Sequence, residues 1–185
     1  MSVVEEIRQI IKLHRDHGRQ GFVVLEELQM LGRGNSVGKQ FVLDAAETFR
    51  KLGVWLISLT PRPQNYFETD VGQAMWGVAD NFVFLQMSGD NVDYVARHST
   101  LLDEAGIEVV KSMRTVRGEH ADVYYTNKKR TKQGAFRFFQ TPYDRWLAPT
   151  NAKAALEARR TLKRHGDDKW KALEELVSKY PEGVN

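Results

Sequence analysis

The sequence predicts an α/β domain: a mainly parallel sheet with crossover helices, then antiparallel ribbons and C-terminal helices. Three observations carry that prediction. Apolar runs "FVVL", "VWLISL" and "NFVFLQ" occupy 22–25, 54–59 and 81–86, and such runs mark strands buried on both faces of a parallel sheet. Segments of helical period separate them, as crossover connections require. From Ile107 to Gln140 the pattern turns to alternation broken at Gly118 and Gly134, which reads as antiparallel ribbons.

Each element has its own justification. Ser2-Val-Val-Glu5 has capping-box spacing, and Val4, Ile7, Ile11 and His14 then recur at helical period up to Gly18. Phe41, Val42, Ala45, Phe49 and Leu52 form the stripe of a second helix, stopped by Gly53. A short helical piece over 71–78 leads to the third apolar run. Asn151–Arg164 and Asp168–Lys179 read as terminal helices. The chain is one domain, 1–185, with a parallel α/β part (1–106), basic ribbons (107–141) and terminal helices (142–185). Trp55, inside a strand, is expected in the core; Trp76, Trp146 and Trp170 are expected to cover the sheet or face a partner.

Composition excludes several classes. With 42% apolar and 28% charged residues among 185, the chain is globular rather than disordered. No apolar run is long enough to span a bilayer, and the N-terminus opens on an acidic amphipathic segment rather than a signal peptide. The absence of cysteine excludes disulfides and thiolate metal sites, and fits a reducing compartment. The net charge of +3 is unevenly spread: 111–137 holds eight basic residues against Glu119 and Asp122, so it carries +6 and leaves −3 elsewhere. The five histidines lack ligand spacing beyond the His14/His17 pair, and no serine has nucleophile-elbow glycines around it.

Two stretches carry chemistry. "LGRGNSVGKQF" (31–41) imitates a phosphate-binding loop, but Arg33 stands five residues before Gly38 where a glycine is needed, and Gln40 replaces the metal-binding hydroxyl. It reads as a surface loop running into a helix. Just before it, Glu26 and Glu27 close a buried strand, where ligand sites of open α/β sheets gather. Paired acids there form a Walker B arrangement, the first holding the Mg²⁺ shell and the second orienting the attacking water; alternatively they are acids starting a helix where the dipole favours them. In the ribbon, Lys128, Lys129, Arg130 and Lys132 interleave with Tyr124, Tyr125, Phe136, Phe138 and Phe139. That pattern suits single-stranded nucleic acid or an acidic partner, or a lysine-rich hairpin tip guarding a sheet edge.

Taken together, "GFVVLEELQML", "AAETFRKLGVWLISLTPRPQNYFE", "NFVFLQMSGDNVDYV" and "YDRWLAPTNAKAALEARR" resemble the large ATPases of type IV secretion and conjugative DNA transfer, the TraC-like family, over nearly the whole chain. The resemblance implies a RecA-like P-loop NTPase half-domain: the C-terminal part of a motor that lacks its P-loop. It implies ATP and Mg²⁺ as ligands, with Glu26 at the Mg²⁺-coordinating position, Glu27 as catalytic carboxylate, Arg50 as an arginine finger toward a neighbouring subunit and Thr60 as a γ-phosphate sensor. It further implies a homo-oligomeric ring, hexameric in such motors, working with secretion or conjugation components and DNA at the cytoplasmic face of the bacterial inner membrane. Two departures stand out. Glu26 replaces the usual Asp, and Pro61 replaces the expected Gln, leaving Gln64 as the nearest substitute. No P-loop precedes Phe22, so the chain alone is expected to be inactive in hydrolysis. The rival expectation is a non-catalytic relative that binds nucleic acid or protein.

Overall fold

The computed structural model describes residues 3–17, 19–27, 36–116, 118–149 and 151–184. Helix α1 (Val3–Asp16) precedes strand β1 (Gly21–Glu26). Helix α2 (Ser36–Thr48) runs through a 3-10 turn (Phe49–Leu52) to Gly53, whose φ of +70° suits glycine, and strand β2 (Val54–Leu59) follows. β1 and β2 pair in parallel, in register from Gly21↔Val54 to Glu26↔Leu59. Val23, Leu25, Val54 and Leu56 face a first core built with Ile11 of α1 and Phe41, Val42, Ala45 and Phe49. The rings of Phe41 and Phe49 meet edge-on at 5.8 Å.

The opposite face of this pair is bare. Phe22, Val24, Trp55, Ile57 and Leu59 all point away from the core, Phe22 at 72% and Trp55 at 69% exposure. Trp55 is therefore not a core residue as expected, because only every second side chain of a strand reaches the covered face. The two aromatic rings alone leave roughly 300 Å² of apolar surface in water.

A single helical turn, α3 (Gln64–Phe67), leads to α4 (Asp70–Val78), capped by the Thr69 hydroxyl, which accepts from the Gly72 N–H at 3.0 Å. Val71 and Met75 of α4 enter the first core, while Trp76 packs at 4.7 Å on Phe82 of strand β3 (Asn81–Phe84). Gly72 is where α3 and α4 touch: a Cβ there would lie 1.9 Å from the Asn65 carbonyl oxygen and 2.6 Å from the Tyr66 Cα. Both obstacles are backbone, so Gly72→Ala must push the helices apart. We expect a loss of about 3 kcal/mol, the upper end for overpacking, read as a lower denaturation midpoint; an unchanged midpoint refutes the packing.

Helix α5 (Gly89–His98), capped by Ser88, and helix α6 (Glu104–Ser112), capped by Asp103, build a second core. It contains Phe84, Val92, Val95, Leu101, Leu102, Val110, Met113 and Tyr124. Strands β4 (Thr115–Val116), β5 (His120–Asn127) and β6 (Gln133–Phe139) follow. β5 pairs antiparallel with β3, β4 and β6. Because β6 runs along nearly all of β5, β3 and β4 share its other edge.

Two expectations need correction here. β3 is not a third parallel strand; it lies antiparallel to β5, with Phe84 opposite Tyr124 and Asn81 accepting from the Tyr125 hydroxyl at 2.7 Å. Its burial alternates, with Val83 61% exposed beside buried Phe84, so the apolar run does not reflect two covered faces. The ribbons do not begin at Ile107 either. The Asp103 side chain accepts from the Gly106 N–H at 2.8 Å, and α6 runs through Ser112; capping and the burial of Gly106 and Val110 on one helical face outweigh the local alternation.

The next stretch, which the resemblance implies is a closing strand, is instead helix α7 (Pro142–Leu147), because a Thr141/Asp144 capping box and Pro142 in its first turn start a helix there. Two terminal helices form where expected: α8 (Ala152–Arg164) and α9 (Lys169–Lys179), capped by Asn151 and Asp168. The three helices enclose a third core of Trp146, Ala154, Leu173 and Leu176. Arg145 ties this unit to the ribbons through the carbonyls of Gly118 and Pro181. Among the described residues no helix is long and apolar enough to cross a membrane.

Several carboxyls sit below their usual range in this fold. The Gly106 N–H does this for Asp103, Arg137 for Asp122, Thr141 for Asp144, the Lys171 N–H for Asp168 and His165 for Glu175. Each lowered folded value contributes stability that is present above the unfolded pKa, about 4, and lost as pH falls through the folded value. The denaturation midpoint should thus hold between pH 7 and 5.5 and fall below about pH 4; a midpoint unchanged down to about pH 3 refutes this.

Candidate functional site

Glu26 and Glu27 stand at the C-terminal end of the parallel pair. Glu26 is the last residue of β1, opposite Leu59, and shares the bare face with Phe22, Val24, Trp55 and Ile57. Glu27, the next residue, has φ of +52°, a left-handed conformation that costs a non-glycine residue about 1 kcal/mol or more. Both side chains are exposed. The sequence places two acids at a strand end; only the structure shows that one carries backbone strain.

Thr60 follows β2 directly, at the same end of the sheet. Its hydroxyl accepts from the Asn65 side-chain amide at 2.8 Å and from the Arg62 N–H at 3.2 Å, bracing the "TPRPQN" turn. That turn is further held by the Tyr66 N–H on the Pro63 carbonyl at 2.9 Å, and Pro63 is buried. Gln64 is also engaged, donating to the Asn91 side chain at 3.2 Å across to α5. Asn91 is a neighbour of this loop that no sequence motif announces.

The backbone of Arg50 lies in the 3-10 turn feeding the N-terminal end of β2, about 17 Å of strand away from the end where Glu26 sits. Lys39, from the glycine-rich stretch, lies within α2 and pairs with Asp70 at the start of α4, holding the Asp70 carboxyl below its usual range. The stretch 28–35 lies outside the described residues.

The basic tip is partly committed within the molecule. The Lys128 ammonium donates to the Gly77 carbonyl at 2.5 Å, at the end of α4. Arg130, at φ +54°, lies near enough to Asp103 to help hold its carboxyl down. Lys129 and Lys132 are exposed, as are Phe136, Phe138 and Phe139 on β6, whereas Tyr124 is buried. The tip belongs to the second sheet, apart from the acidic pair.

Mg²⁺ typically keeps most of its water and takes one or two carboxylates plus substrate phosphates. A single exposed Glu26 on an open strand end fits that demand. Among the described residues no three His, Asp or Glu side chains converge into an all-protein cage. No protein-family model matches the chain, and no curated protein matches it.

Proposed function

We propose that this chain is the Walker B side of a RecA-like ATPase that powers type IV secretion or conjugative DNA transfer. The observation that carries the reading is the acidic pair closing a parallel strand, with Glu27 held at φ +52°. Strain of this kind gathers at functional sites. The bare apolar face supports the same reading, since parallel sheets are ordinarily covered on both sides. No G-x-x-x-x-G-K-S/T occurs in the 185 residues, so this reading requires a phosphate-binding loop from outside them.

Bound Mg-ATP supplies the bond to be cleaved and the charge neutralisation at its phosphates. Glu26 would help hold the ion, and Glu27 would orient a water molecule and take its proton on a carboxylate oxygen. Arg50, remote from its own carboxylates, serves a neighbouring subunit of a homo-oligomeric ring at the cytoplasmic face of the inner membrane. Thr60 and Gln64 act by fixing the loop beside the site rather than by reaching phosphate, because their polar groups are already engaged. The test is Glu27→Gln in the cell that encodes the chain: transfer or secretion is lost, and undiminished transfer removes the catalytic role.

A second reading, a non-catalytic binding module, draws on Pro61 and on the exposed Lys129 and Lys132 near exposed Phe136, Phe138 and Phe139. It expects tight binding of single-stranded DNA that weakens steeply with salt.

A further inference from the structure

β6 is a sheet edge with an open ladder. Among the described residues it pairs on one side only, with β5, and all seven of its residues are exposed. The phase of its hydrogen bonds is fixed at both ends. The Asn127 N–H donates to the Lys132 carbonyl at 3.0 Å, and the Gln140 N–H to the Glu119 carbonyl at 3.2 Å. Antiparallel pairs alternate between bonded and non-bonded residues, so Gly134, Phe136 and Phe138 bond to β5. Gln133, Ala135, Arg137 and Phe139 therefore turn their N–H and C=O groups outward. The devices that usually blunt such an edge are missing: β6 has no proline, and its one charge, Arg137, folds back to Asp122 at 2.8 Å.

Beside this edge runs a groove of about 500 Å³, lined by Val109, Ser112 and Met113 from the end of α6 and by Ala135, Phe136 and Phe139 from β6. A strand laid along β6 would send every second side chain into this mainly apolar groove. The surrounding charge is mainly basic, with Glu119 near Arg137 the exception. From Val123 to Gln140 there are five basic residues and no acid. Asp122, the groove's one acid, is neutralised by Arg137 and bonded by the Arg114 N–H at 3.0 Å. Lys129 and Lys132 at the tip and Arg114 beside the groove are exposed, while Arg130 faces Asp103.

We propose that the outer edge of β6 binds an extended acidic peptide of a partner protein, added to the sheet as a further strand. Apolar side chains fill the groove, acids meet Lys129, Lys132 and Arg114, and backbone groups complete the ladder. The alternating free amides and carbonyls select a peptide over a nucleic acid, which has no matching backbone.

The test uses the whole chain and a fluorescein-labelled ten-residue peptide of alternating valine and glutamate, followed by anisotropy at low salt. Saturable binding is expected, weakened at least tenfold by Ala135→Pro, which removes one outward N–H, and weakened at least threefold less by Ala135→Val, which narrows the groove equally but keeps the N–H. Far-UV circular dichroism and the thermal midpoint establish that both variants fold. In the unaltered chain, residue-resolved hydrogen exchange should show the amides of Gln133, Ala135, Arg137 and Phe139 slowed at least tenfold by the peptide. Absence of binding overturns the proposal, as does binding that leaves those amides unprotected. Displacement of the peptide by a twenty-nucleotide oligo-dT, with Ala135→Pro binding that DNA normally, assigns the edge to nucleic acid and overturns it. A dimer in sedimentation that protects the same amides without peptide assigns the edge to a second copy and also overturns it.

Discussion

Under the proposed function, Glu27→Gln should lower ATP turnover by about 10²–10⁴-fold, the range for removing a general base, with nucleotide affinity little changed. The amide keeps the size and hydrogen-bonding reach of the carboxylate but cannot take a proton. Glu27→Gly should lose the same activity while raising stability by about 1 kcal/mol, because glycine adopts φ +52° without the cost a Cβ imposes. Opposite movements of stability and turnover would mark a strained residue retained for chemistry. A Glu27→Gly variant that is both slower and less stable would instead show a side chain that holds the loop. Glu26→Asp, one methylene shorter, should retain most turnover, since a water-mediated contact to Mg²⁺ tolerates a shift of about one bond length.

The largest stability effect should come from Trp146→Ala, a loss of about 3–5 kcal/mol. Trp146 is 4% exposed, packs with Leu173 and Leu176, and donates its indole N–H to the Tyr180 carbonyl at 2.8 Å. Its removal opens a cavity in the third core and takes one of two donors from the half-buried Tyr180 carbonyl, which keeps the Gly183 N–H at 3.0 Å. Trp146→Phe should cost less, about 1–3 kcal/mol, because the ring is largely replaced and only the bond is lost. The difference between the variants separates packing from hydrogen bonding, and equal losses would contradict that division. Urea denaturation followed by the fluorescence of the other three tryptophans measures both.

Much of this architecture is legible in the residues. The caps at Asn151 and Asp168 and the stop at Gly53 are local chemistry, and they fall where sequence reasoning places them. The parallel pairing of 21–26 with 54–59 follows from two apolar runs joined by one amphipathic helix. What the sequence hides is partner choice. The run at 81–84 has the composition of a buried parallel strand, yet its hydrogen bonds go to β5, forty residues on. The segment 107–112 alternates well enough to pass for a strand until the Asp103 cap is taken into account. At the site, the acids at 26 and 27 are visible as a motif. Their geometry is not: the left-handed backbone at Glu27 has no sequence signature, and the engagement of Thr60 and Gln64 depends on contacts with Asn65 and Asn91 that no spacing rule encodes.

The uncovered side of the β1–β2 pair has a consequence for how the protein is made. A newly synthesised chain that presents Phe22 and Trp55 to water is competing from the outset between two fates. Completing its own fold is first order. Sticking to another copy is second order and grows with concentration. Rapid synthesis therefore favours precipitation, while slow synthesis favours the folded chain. The rate at which the chain is produced then matters as much as the stability of its fold.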